Sequence, residues 1–177
     1  LAMLGGFVVL GQDAGTYQIS ELLADPPTGT AAAIALVLVL LGAFTKSAQY
    51  PFHAWLPGAM VAPTPVSAYL HSATMVKAGV FLLARLYPAL GQSELWFFLV
   101  TGTGLVTLTL GAMVAIFQHD LKGLLAYSTI SHLGLITLLF GLDSPLAVVA
   151  GLFHILNHAA FKASLFMAAG IVDHETG

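Results

Sequence analysis

Three lysines stand near the middle of three long apolar segments: Lys46 within residues 31–57, Lys77 within 64–87 and Lys162 within 145–172. An α-helix would set each near the centre of a bilayer. An ammonium group there costs roughly 2.5–3.5 kcal/mol on insertion scales. An amine held away from bulk water can load and release a proton near neutral pH. Histidine adds a second proton carrier, because imidazole titrates near neutrality and can accept at one ring nitrogen while releasing at the other. His154, His158 and Lys162 recur every four residues, so they share one helix face and climb about 6 Å per step. That stripe points to a proton relay.

His71 and Thr74 precede Lys77 at three-residue steps. Such steps drift around a helix and connect it sideways to its neighbours. His132, with Ser128 one turn before it, falls in the middle of another apolar segment. The candidate proton-transfer set is Lys46, Lys77, His71, His132, His154, His158 and Lys162. Blander readings stay open: the histidines could only hold helices together, and the lysines could snorkel to an interface. His154 and His158 also have the spacing of two zinc ligands, but no third ligand accompanies them and Lys162 would repel a cation. No metal and no cofactor are therefore expected. All eight acidic residues fall in loops or at helix ends. Sodium and calcium want oxygen ligands, so any metal-cation site is expected elsewhere.

The elements that carry these residues follow from composition. The chain has 177 residues, 58% hydrophobic and 7% charged, with a mean hydropathy of +0.93. Soluble domains carry about 25% charged residues, so the expected class is all-α: a polytopic transmembrane helical bundle with no soluble domain. A net charge of −3, scattered along the chain, excludes a nucleic-acid partner, and without cysteine there is no disulfide or iron–sulfur ligation. The start at Leu1 and the stop at Gly177 suggest an excerpt of a larger membrane protein.

The expected order begins with the tail of a spanning helix over 1–11 and a polar loop over 12–29. Residues 31–57 would span about 40 Å as one helix, against a core of about 30 Å. Pro51 predicts a break around 47–51 followed by a half-helix over 52–56. Breaks at membrane depth mark ion sites in transporters. Further helices are expected over 64–87, with Thr64 as N-cap and Pro88 beyond the end, then over 93–117 with Ser93 as N-cap, 121–140 and 145–172. That makes one transmembrane region over 1–177, with five full spans and part of a sixth. The acidic 11–29 loop is placed outside, with residues 119–122 and the C-terminal end inside.

Residues 45–57, with Lys46, Pro51, His53, Trp55 and Pro57, resemble the broken helix of the antiporter-like subunits shared by Mrp-type multisubunit Na⁺/H⁺ antiporters and respiratory complex I. Residues 62–79, from Ala62-Pro63-Thr64-Pro65 to Lys77-Ala78-Gly79, are similar to that family's next helix. Residues 120–134 and the His154/His158/Lys162 stripe match as well. Lys77 and the ending 170–177 look more like the A-type subunits of the Mrp antiporters than like their complex I relatives. The resemblance implies a proton-translocating core of a Na⁺/H⁺ antiporter in the cell (inner) membrane, multi-pass, partnered by other subunits, the lipid bilayer, H⁺ and Na⁺. Lys46 would switch, paired with an upstream glutamate outside 1–177. Another ionisable residue would follow Lys162 downstream. Where His132 stands, the family more often has Gln. The alternative is a complex I membrane-arm subunit pumping protons under redox drive.

Overall fold

The computed structural model describes residues 1–176, with side chains described at all of them except 70–73. Helix α1 is Ala2–Ala14, α2 is Ile19–Ala24 and α3 is Thr30–Lys46. After a non-helical stretch comes α4, Trp55–Gly58, continued by the 3₁₀ turn Ala59–Val61. Helix α5, Thr64–Val66, runs into a π-helical stretch, Ser67–Thr74, and α6 is Lys77–Leu90. Helix α7, Glu94–Ile116, contains a π-helical turn at Phe97–Thr101. Helices α8, Leu121–Gly141, and α9, Pro145–Thr176, complete the order. Among the described residues there is no β-strand, and the fold is an all-α bundle with a discontinuous helix.

Three of these helices, α7, α8 and α9, are long and apolar enough to cross a membrane; α1 and α3 are apolar but shorter, at 13 and 17 residues. Caps set two of the starts. Ser93 Oγ accepts from the Trp96 N–H at 3.2 Å, as its place before an acidic first turn predicts. The Asp120 carboxylate accepts from the Gly123 N–H at 2.6 Å.

Close backbone approach holds the layers together. A Cβ on Gly104 would lie 2.4 Å from Leu138 N, and one on Gly134 would lie 2.4 Å from Leu108 N. Only hydrogen fits there, so α7 and α8 pack backbone to backbone, as small residues permit in lipid. Helix α3 buries Ala35, Leu36, Val39, Leu40 and Ala43. Helix α9 is inside-out: Phe153, Leu156, Met167 and Ile171 are exposed, while His158 and Lys162 are buried.

Several boundaries differ from expectation. The 12–29 segment is not all loop: α1 continues to Ala14, and α2 forms within it. The half-helix after the break is Trp55–Gly58 with its 3₁₀ extension, not 52–56. Turns occupy 50–54, and Tyr50–Pro51 is a cis peptide. Thr64 is not a cap. The Pro63 carbonyl starts that helix, accepting from the N–H groups of Val66 and Ser67 at 3.0 and 3.1 Å. Helix α6 runs through Pro88, because the Gly91 N–H still closes on Tyr87 O at 2.7 Å.

Candidate proton-transfer site

Helix α3 stops immediately after Lys46. Ala48 takes the left-handed conformation, φ 49°, a region that costs an alanine roughly 1–2 kcal/mol. The Gln49 N–H reaches back to Phe44 O at 2.9 Å and the Ala48 N–H to Thr45 O at 3.4 Å. This is the Schellman closure, with alanine where glycine is usual. Side chains satisfy the backbone this leaves free. Trp55 Nε1–H donates to Thr45 O and Gln49 Nε2–H to Ser47 O, each at 3.0 Å. The Tyr50 N–H donates to Thr107 Oγ1 of α7 at 2.9 Å. Ser47 Oγ–H donates to Val76 O at 2.7 Å and accepts from the Val80 N–H at 3.0 Å. Ser47, Ala48 and Gln49 at the stop are buried in protein, where irregular backbone is tolerated. Lys46 itself is exposed on this chain.

A second centre lies between α6, α8 and α9. His132 Nδ1 and His154 Nε2 are 3.1 Å apart. The ring centroids of His132 and His154 are 5.2 Å apart, those of His132 and His158 are 5.1 Å, and those of His154 and His158 are 6.2 Å. The three imidazoles therefore form a triangle. Phe161 closes one side, edge-on to His132 at 5.4 Å and to His158 at 5.2 Å. His158 is fully buried. Neither of its ring nitrogens meets a hydrogen-bond partner among the described residues. Lys162, 1% exposed, donates to Ser128 Oγ at 2.6 Å and more distantly to Leu125 O at 3.5 Å. Lys77, also buried, begins α6, which packs against both α8 and α9.

The structure brings together five of the seven expected residues: Lys77, His132, His154, His158 and Lys162. Lys46 stands apart, at the break. The His71 side chain lies outside the described residues. Lys162 sits near the middle of its helix as expected, whereas Lys46 ends one helix and Lys77 begins another. Sequence reasoning missed Ser47, Gln49, Trp55 and Thr107, which hold the break. The signal available was local: small polar residues crowd the helix stop before Pro51. Among the described residues no cluster of histidines and acids suits a metal ion. Lys122 Nζ lies 3.8 Å from the Asp173 carboxylate, which puts residues 119–122 and the C-terminal end of α9 at the same end of the bundle.

Comparison with known proteins gives a consistent pattern. The family model described as NADH:quinone oxidoreductase/Mrp antiporter, TM, matches residues 1–177. The chain is 65% identical over 184 residues to a probable K(+)/H(+) antiporter protein of the A/B type from Rhizobium meliloti, covering 100% of this chain and 18% of that protein. It is 55% identical over 193 residues to the A-type subunit of the Na(+)/H(+) antiporter of Alkalihalophilus pseudofirmus, covering 99% and 24% respectively. Among solved structures, the Mrp complex from Dietzia sp. superposes with a TM-score of 0.95 at 50% identity, over 100% of this chain and 20% of that one. Respiratory complex I from Thermus thermophilus superposes with a TM-score of 0.86 at 28% identity, over 97% and 38%. The chain spans about a fifth to a quarter of the length of the two antiporter proteins.

Proposed function

Because the chain belongs to the NADH:quinone oxidoreductase/Mrp antiporter transmembrane family, we propose that it forms the proton-carrying core of one component of a multisubunit monovalent cation/proton antiporter in the bacterial cell membrane. Five full spans and part of a sixth would place its polar groups at mid-membrane, among other subunits. The observation that carries this reading is the set of buried Lys77, His158 and Lys162 with half-buried His132, His154 and Ser128, behind an apolar outer face. A proton can pass between His132 and His154 along their 3.1 Å contact, each ring accepting at one nitrogen and releasing at the other. Ser128 gives the Lys162 ammonium a neutral partner, so its charge is steadied without being locked in an ion pair.

In this reading Lys46 is the switching group, and its exposure leaves it open to a carboxylate from outside residues 1–177. Lys77 and His71 form the lateral connection, His132 bridges, and His154, His158 and Lys162 lead to the exit. These groups titrate as a set, so no single pKa belongs to one of them. The set offers no carboxylate to a hard cation, which wants oxygen ligands, and its ammonium groups repel one, so the counter-ion travels elsewhere. The relatives' names offer both Na⁺ and K⁺ for it.

Exchange in everted vesicles holding the full assembly tests the proposal. Lys46→Ala should abolish ΔpH-driven exchange while the complex still assembles, and retained exchange would remove Lys46 from the mechanism. The likeness to complex I supports a second reading, proton pumping under redox drive. A protein of that kind would copurify with quinone-linked redox partners and would show no cation-driven proton movement without an electron donor.

A further inference from the structure

Lys46 and Lys77 belong to different helices, 31 positions apart in sequence, yet one hydroxyl ties their backbones together. Ser47, the residue after Lys46, is 1% exposed. Its Oγ–H donates to Val76 O, the carbonyl just before Lys77, at 2.7 Å. The same oxygen accepts from the Val80 N–H at 3.0 Å. Val76 is the N-cap of α6, so its carbonyl opens the first turn of that helix and Val80 lies one turn on. Ser47 therefore grips both ends of the turn that Lys77 begins. Gly79 lets the two helices come this close: a Cβ there would lie 2.4 Å from Ser47 Oγ and 2.2 Å from Ala43 O.

Resting on the proton-transfer reading above, we infer that Ser47 is a positioning residue that holds the Lys46 end of α3 in register with the Lys77 end of α6. It does not itself titrate in the working pH range. Its hydroxyl makes the break and the start of α6 move as one body, so a charge change at Lys46 reaches Lys77 at a fixed geometry. Removing the hydroxyl leaves two buried backbone groups with fewer partners and lets the two ends drift.

The test uses the full antiporter assembly carrying Ser47→Ala, Ser47→Cys or Ser47→Thr, in vesicles and in detergent. Ser47→Ala should assemble, lose at least tenfold in exchange rate and shift the midpoint of the pH profile. Ser47→Thr, which keeps a hydroxyl, should recover most of the rate and the original midpoint. Hydrogen–deuterium exchange at the Val80 amide should rise severalfold in Ser47→Ala, a readout independent of transport. Should Ser47→Ala fail to assemble, Ser47→Cys supplies the same comparison, because a thiol fits the space but bonds weakly. An unchanged rate, pH midpoint and Val80 protection would overturn the inference. So would a loss of rate that follows assembly level with an unmoved pH midpoint. Lys46→Ala, run alongside, separates the two claims: retained exchange there removes Lys46 from the mechanism, whereas unaltered Ser47 variants defeat only the tie.

Discussion

At Lys162 a buried ammonium rests on a hydroxyl rather than a carboxylate. A hydrogen bond to a charged group is worth about 1.5–3 kcal/mol, or roughly tenfold to a hundredfold in an equilibrium. Ser128→Ala should therefore slow ΔpH-driven exchange about tenfold, and Lys162→Ala should abolish it, both read as vesicle exchange normalised to assembled complex. His158 makes a sharper test. Glutamine can hydrogen-bond but cannot titrate, so a relay stops at His158→Gln while a purely structural role survives it. The expected result is loss of exchange, and full retention would return the triangle to scaffolding. The stripe itself was legible, because His154, His158 and Lys162 repeat at the helix period. His132 was expected as a link in the same chain, but not the triangle it forms nor the Lys162–Ser128 bond, since these depend on how α8 and α9 turn about each other. Periodicity within one helix does not report that rotation.

At the scale of elements, the broken helix separates what local chemistry announces from what distant partners decide. Pro51 announced a stop. Where the chain resumes was set by Trp55 donating back to Thr45 O, by Tyr50 bonding Thr107, and by Ala48 accepting a left-handed turn. The bond to Thr107 joins residues 57 positions apart, beyond any local window of sequence. Trp55→Phe keeps an aromatic ring, though a smaller one, and deletes its donor. It should lower the melting temperature of the purified assembly by an amount corresponding to about 1 kcal/mol. The α7–α8 contact is stiffer. Gly134→Ala would drive a methyl into the Leu108 backbone, a strain of about 1–3 kcal/mol, and should cut the yield of assembled complex. Gly5→Ala, which meets nothing within 4 Å, should leave the yield unchanged.

Across the whole molecule, charge is sparse and its placement sorts into two kinds. Buried amines and imidazoles collect inside, while carboxylates stay at helix ends. The ion pair of Lys122 with Asp173 is partly open to water. Exposed pairs contribute little, so Asp173→Asn should change neither assembly nor exchange by more than about twofold. The membrane-spanning class was legible from composition alone, since 7% charged residues cannot clothe a water-facing surface. The inside-out character of α9 was only half legible: the polar stripe was visible, but not which neighbour would cover it.

That covering has a consequence for biogenesis. A translocon handing α9 to lipid by itself would expose Lys162 and two histidines to hydrocarbon, a severe penalty for a lone segment. Only three residues, 142–144, separate it from α8, whose Ser128 and His132 receive that polar face. Entering the bilayer as a hairpin, the two segments would shield that polar face from lipid.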